Sequence, residues 1–187
     1  MAVKTFAVGE VLTASDTNTY LANSGLVYIT SSTFSGSSFV QVNNCFSSTY
    51  DNYRVMISYT TAAGDMQMRL SVGGTPATGA TDYTSGTVSI SNAGGIASYG
   101  SSGGTNLYYW HFVNTPVTQY TSGVLDIYGP YLSAFTRWNN QSTTTFGTGY
   151  TGGGAHQLTT AYDGIRITNA GGSNIAGTIT IMGYRKA

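Results

Sequence analysis

From Leu26 onward, apolar side chains recur at every second position. Tyr53, Val55, Ile57 and Tyr59 alternate with Arg54, Met56 and Ser58, and Met66, Met68, Leu70 and Val72 alternate with Gln67, Arg69 and Ser71. A period of two marks a strand with one buried face, because successive Cβ atoms project to opposite sides of the pleat. Gly64-Asp65 lies between the two runs, so they read as a hairpin, with Arg54, Asp65 and Arg69 marking its solvated or edge face. Further strands are expected at about 26–31, 38–42, 86–91, 106–113, 122–128, 133–139, 156–161, 163–168 and 177–184. Clusters of Gly, Ser, Thr and Asn separate them.

Residues 1–25 differ in kind. Thr13-Ala14-Ser15-Asp16 fits a capping box, with Thr13 as N-cap and a helix running to about Ala22, before Asn23-Ser24-Gly25. So short a helix does not hold alone. Its apolar residues Leu12, Tyr20 and Leu21 must dock on the β-domain or on a neighbouring subunit. Many short strands without interleaved helices predict antiparallel sheets. The expected architecture is all-β: an antiparallel, jelly-roll-like β-sandwich over residues 26–187, preceded by a short N-terminal arm with one helix over residues 1–25. A closed single barrel is the alternative.

Two turn signals repeat. Asn92-Ala93-Gly94-Gly95 and Asn169-Ala170-Gly171-Gly172 each follow a β-type run, and both read as strand-ending turns, since Asn and Gly tolerate positive φ. The glycine-rich stretches from Tyr99 to Gly104 and from Gly147 to Gly154 read as loops. Neither has the glycine spacing of a phosphate-binding motif.

Composition narrows the function classes. Of the 187 residues only 7% are charged, against about 25% in an average soluble protein. The formal net charge is zero, and fifteen tyrosines stand among the aromatics. Charge depletion with Tyr enrichment is the composition of a subunit interface, so the chain leans toward assembly or ligand binding. The basic patch that nucleic acid requires is missing. No apolar run is long enough to insert in a membrane, and Met1-Ala2-Val3-Lys4-Thr5-Phe6 does not open a signal peptide. The single cysteine, Cys45, rules out an internal disulfide and is expected to be a buried apolar residue.

Catalytic groups are scarce. His111 and His156 lie in neither a His-x-His nor a His-Glu-x-x-His arrangement, and no G-x-S-x-G elbow exists. Among seven carboxylates, Asp16 suits a helix cap, and Asp51 and Asp163 sit in turn contexts. Asp126, flanked by Leu125 and Ile127, is expected on an outer face or paired with an arginine. No cofactor and no metal site is expected, nor a catalytic residue. Tyr128, Tyr131, Arg137 and Trp138 are the candidate ligand or interface aromatics, with core or interface packing as the plainer reading.

The opening Phe6-Ala7-Val8-Gly9-Glu10-Val11-Leu12-Thr13-Ala14-Ser15-Asp16-Thr17-Asn18 resembles the start of tail-fibre and other accessory virion proteins of tailed bacteriophages. Residues 46–55 and 177–185 look like recurring stretches of the β-rich proteins found with it. The resemblance implies a virion structural protein whose first 25 or so residues attach to a particle, with Phe6, Val11, Leu12, Asn18 and Leu21 in the anchor. It implies a homotrimer, other virion proteins as partners, and a β-domain that faces outward, with a host surface glycan as a further partner. A long fibre shaft is missing, so a short fibre or capsid decoration subunit fits the length better. The rival readings are a carbohydrate-binding module without a structural role and a polysaccharide-degrading enzyme.

Overall fold

The computed structural model describes residues 7–11, 13–16, 25–61, 66–79, 81–102, 110–113, 119–145 and 147–186. Among these the chain is all-β and antiparallel. In chain order the strands are β1 (Leu26–Ser37), β2 (Phe39–Val42), β3 (Asn52–Thr61), β4 (Met66–Val72), β5 (Thr75–Pro76), β6 (Tyr83–Ile90), β7 (Ile96–Ser102), β8 (Trp110–Val113), β9 (Gln119–Tyr128), β10 (Thr136–Thr144), β11 (Gly149–His156), β12 (Gly164–Asn169) and β13 (Ile175–Tyr184). An eight-stranded sheet runs in the order β1-β13-β3-β9-β10-β11-β6-β7, and a five-stranded sheet in the order β2-β12-β4-β5, with β8 also on β4.

Among the described residues the chain makes eight passages between the sheets in consecutive strands, and three belong together: from β1 to β2, from β3 to β4, and from β12 to β13. In the larger sheet β13 lies between β1 and β3, and in the smaller β12 lies between β2 and β4. These three crossings therefore run side by side. They correct the hairpin expected of residues 53–59 and 66–72. β3 pairs with β13 and β9, whereas β4 pairs with β12, β5 and β8. Alternation reports which face of a strand is buried and is silent on which strand lies beside it. Gly64 and Asp65 lie outside the described residues.

The core sits between the sheets. Tyr53, Val55, Ile57 and Tyr59 all point into it, as their spacing predicts, beside Leu125 and Ile127 of β9 and Ile179 and Ile181 of β13. The smaller sheet answers with Val40, Val42, Met66, Met68, Leu70, Ile165 and Ile167. Each such side chain contributes about 1.5–3 kcal/mol when fully buried. Val72, expected to share the inward face of β4, is exposed at its end. Cys45 is a core residue at 2% exposure, and burial pushes its thiol pKa up to about 12.

Two glycine-rich stretches expected as loops are strands. Tyr99 to Ser102 belong to β7, and Gly149 to Gly154 belong to β11. β11 is built from glycine because it is crowded: a Cβ at Gly154 would run into Thr84 O and the Trp138 ring, and one at Gly152 into Gly86 O and Thr87. The strand expected at 156–161 is absent, since β11 ends at His156, and the one expected at 133–139 begins later, as β10. The two Asn-Ala-Gly-Gly motifs do end strands, one residue out of step. Ser91 O accepts from Gly94 N at 3.0 Å in the first, whereas Asn169 O accepts from Gly172 N at 3.1 Å in the second. Positive φ falls on Gly94 and Gly172 accordingly.

In the N-terminal arm, Ala14–Asp16 forms a single helical turn. The rest of the expected helix lies outside the described residues, as do the anchor candidates Phe6, Leu12, Asn18 and Leu21. Ahead of it, residues 7–10 close on themselves: Glu10 N donates to Ala7 O at 3.1 Å, and Ala7 N donates to Glu10 Oε2 at 3.0 Å. Val8 and Val11 are left exposed.

Candidate functional site

The outward face of the eight-stranded sheet can be read as rows across its strands. Arg54, Asp126, Asn139, Gly153, Gly86 and Gly100 are successive cross-strand neighbours on β3, β9, β10, β11, β6 and β7. One end of this row is charged; the other is bare backbone. The next row along the strands is Met56, Val124, Gln141, Thr151, Val88 and Ser98, and the one after it ends in Ile90 and Ile96. The last two of these rows, from β3 across to β6, line a groove of about 650 Å³, walled by apolar side chains such as Met56, Val88 and Ile90. A smaller pocket of about 290 Å³ adjoins it, sharing Val124, Gln141 and Thr151 and lined also by Arg54, Asp126 and Asn139.

The pocket's electrostatics are settled internally. Arg54 Nε donates to Asp126 Oδ1 at 2.7 Å and Nη2 to Oδ2 at 2.7 Å. Tyr184 Oη donates to Asp126 Oδ1 at 2.7 Å, and the Arg54 guanidinium lies 5.5 Å from the Tyr184 ring centre. Partial burial acts to raise the Asp126 pKa, but the hydrogen bonds from Arg54 and Tyr184 outweigh it and hold the carboxyl below its ordinary value. Burial, with the bond to Asp126 added, pushes Tyr184 up to about 12. Both carboxylate oxygens are thus engaged and the group stays ionised, which suits it to accept hydrogen bonds and not to donate protons. This is the arginine partner expected for Asp126.

The candidate aromatics are split by the pleat. Tyr128 and Arg137 are directly opposed across β9 and β10 and both face outward. Asn139 Nδ2 donates to Tyr128 Oη at 3.1 Å, which joins Tyr128 to the pocket. Tyr131 lies exposed in the connection between the two strands. Trp138 is 3% exposed and belongs to the core; one residue from Arg137 on a strand, it points the opposite way. Period two, applied to residues 136–144, was enough to separate them. Tyr184 was missed, since nothing local ties it to Asp126, and so was the groove. Its signal was the apolar pair Val88 and Ile90, which sits on the outward phase of β6.

His156 lies inside, fully buried, between the edges of the Tyr83 and Tyr162 rings at 4.3 and 4.9 Å. Burial drops its pKa to about 4, against a raising pull from Asp82, whose Oδ2 is 3.9 Å from Nε2. The backbone of His111 lies in β8. Among the described residues no cluster of three or more His, Cys, Asp or Glu side chains could hold a metal ion. Compared with protein-family models, with curated proteins and with solved structures, the chain matches none of them.

Proposed function

We propose that the chain is a structural protein of a tailed-phage virion, a short fibre or capsid decoration subunit. Its N-terminal arm attaches to the particle, and its β-domain is displayed outward, associates with other copies of itself and meets the host surface. The observation that carries this reading is the arm: a turn closed by its own hydrogen bonds that holds Val8 and Val11 outward. Exposed apolar side chains on a self-closed turn suit insertion into a neighbouring protein. The side-by-side crossings between the sheets support the finer description of the domain as jelly-roll-like, since a rolled ribbon carries paired strands from one sheet to the other together. Deleting residues 1–25 tests the reading. The truncated chain should fold, stay soluble and fail to enter particles; incorporation at the full-length level would sink it.

A second reading has its own support. Tyr128, Asn139, Arg54 and Gln141 bring an aromatic face and planar hydrogen-bonding groups around one small pocket, the chemistry that suits a sugar ring. A glycan array on the domain separates this from a purely structural role. A polysaccharide-degrading activity is the third reading, and replacing Asp126 and His111 before assaying host polymer breakdown tests it.

A further inference from the structure

The two edges of the eight-stranded sheet are built differently. β1, at one edge, breaks register between Tyr28 and Thr30 and again between Phe34 and Ser37. Such irregularities twist an edge and spoil it as a template for pairing. β7, at the other edge, pairs with β6 without interruption from Ile96 opposite Ile90 to Ser102 opposite Thr84. It reads Ile-Ala-Ser-Tyr-Gly-Ser-Ser and carries no charge, no proline and no bulge, the devices by which edge strands are normally blunted. Ile96 to Gly100 are all exposed, and among the described residues no strand pairs with the far side of β7. A regular row of backbone donors and acceptors fits one kind of partner, another extended strand.

Two glycines indicate which strand. Gly86 and Gly100 sit inside strands without positive φ. A Cβ on Gly86 would meet nothing within 4 Å, and one on Gly100 only Ser85 O at 3.6 Å. Glycine in a strand interior costs about 0.5–1 kcal/mol relative to alanine, and at these two positions the chain's own packing gives no reason for it. Glycine of this kind often marks a close approach from outside. On the same outward face Ile96 is 74% exposed. If a second β7 is laid antiparallel with the two-fold axis at Ser98, Ile96 of each copy falls opposite Gly100 of the other. Ala97 then falls opposite Tyr99. Each Ile96 lies over the backbone of Gly100 and Gly86 of the other copy, the space those residues leave open. A small residue faces a large one at both levels, and a charge-free strand meets a charge-free strand.

We infer that two copies of this chain associate through antiparallel β7–β7 pairing, joining their eight-stranded sheets across a two-fold axis. The inference gives a surface to the self-association in the proposed function. Because an isologous contact closes in pairs, it calls for even-numbered assemblies and not for a trimer built on this contact.

Light scattering on the full-length chain, with two variants, tests it. The wild type is expected at twice the single-chain mass. Ile96→Lys, a change at an exposed position, is expected to halve that mass with an unchanged circular dichroism spectrum. Ser98→Cys is expected to give a disulfide-linked dimer on mild oxidation, since directly opposed strand residues lie about 4.5–5.5 Å apart, within disulfide reach. Cys45 is too buried to compete. A wild-type mass of one or three chains, an Ile96→Lys mass equal to wild type, or crosslinking through Thr33→Cys on β1 in place of Ser98→Cys would each overturn the pairing. A dimer that never enters particles would sink the virion reading and leave the pairing intact; a monomer that enters them would do the reverse.

Discussion

Arg54 of β3 and Asp126 of β9 stand directly opposite each other and share two hydrogen bonds of 2.7 Å on the outward face of the larger sheet. Removing the carboxylate charge with Asp126→Asn leaves the guanidinium without its counter-ion and weakens the bond from Tyr184. Charge-assisted bidentate bonds contribute roughly 1–3 kcal/mol, and the 34% exposure of the Arg54 side chain puts the loss toward the lower end. The sign with pH follows from the lowered carboxyl. The contribution is complete above the unfolded carboxyl's pKa of about 3.9 and fades as pH falls through the lower folded value. Urea midpoints of wild type and Asp126→Asn should differ at pH 7 and converge in strong acid. Equal midpoints at pH 7 would show that the pair contributes nothing.

His156 makes the opposite end of the acid range costly. Its folded pKa of about 4 lies below the ordinary value of about 6.5, so between those pH values the unfolded chain binds a proton that the folded chain refuses. Stability is therefore full above about pH 6.5 and declines as pH falls toward 4, by on the order of 2–3 kcal/mol. Asp82, 3.9 Å away, limits the loss. His156→Phe keeps an aromatic between Tyr83 and Tyr162 and should flatten the slope of unfolding free energy in this window. A slope identical to wild type would remove His156 as its source.

Cys45 gives a cheap probe of the core. The thiol donates to Val42 O at 3.5 Å, and burial holds its pKa at about 12. The thiolate that reacts with disulfide reagents is scarce at neutral pH and shielded when it forms. Native protein should react at least a hundredfold more slowly than protein in denaturant (about 10²-fold is the expected minimum), and the native rate should follow global opening. Prompt labelling of native protein would place Cys45 at a locally opening segment.

How much of this was legible depended on whether side chains were present to carry the signal. β3 announces itself, because Tyr53, Val55, Ile57 and Tyr59 are large and all on one phase. β11 hides, because Gly-Tyr-Thr-Gly-Gly-Gly-Ala-His has few side chains to alternate. The crowding at Gly152 and Gly154 that demands glycine erases the pattern that would reveal a strand. Partner choice is hidden for a different reason. Arg54 and Asp126 are 72 residues apart, and Tyr184 is 58 from Asp126. Such contacts arise from crossings between the sheets, which no local window contains. The outward groove lay between: Val88 and Ile90 put apolar side chains on the outward phase of β6 while Ser85, Thr87 and Ser89 point inward, but their meaning appears only when Met56 arrives two strands beyond β10.

Glycine substitutions should therefore sort by what each position faces, whatever their likeness in sequence. Gly183 is an inward residue of β13, where a Cβ would stand 2.5–2.8 Å from three atoms of the Tyr50 ring. That ring packs edge-on against Tyr53 at 6.0 Å and cannot withdraw without disturbing the core. Gly183→Ala should cost roughly 1–3 kcal/mol as overpacking. Gly86 has open space where its Cβ would go and no positive φ, so Gly86→Ala should stabilise the single chain by about 0.4–1 kcal/mol through the unfolded state. Thermal unfolding of both variants in dilute solution, where association is weakest, reads the two effects side by side. If Gly86→Ala destabilises under those conditions, the glycine is required by the fold itself and no outside strand is needed to account for it.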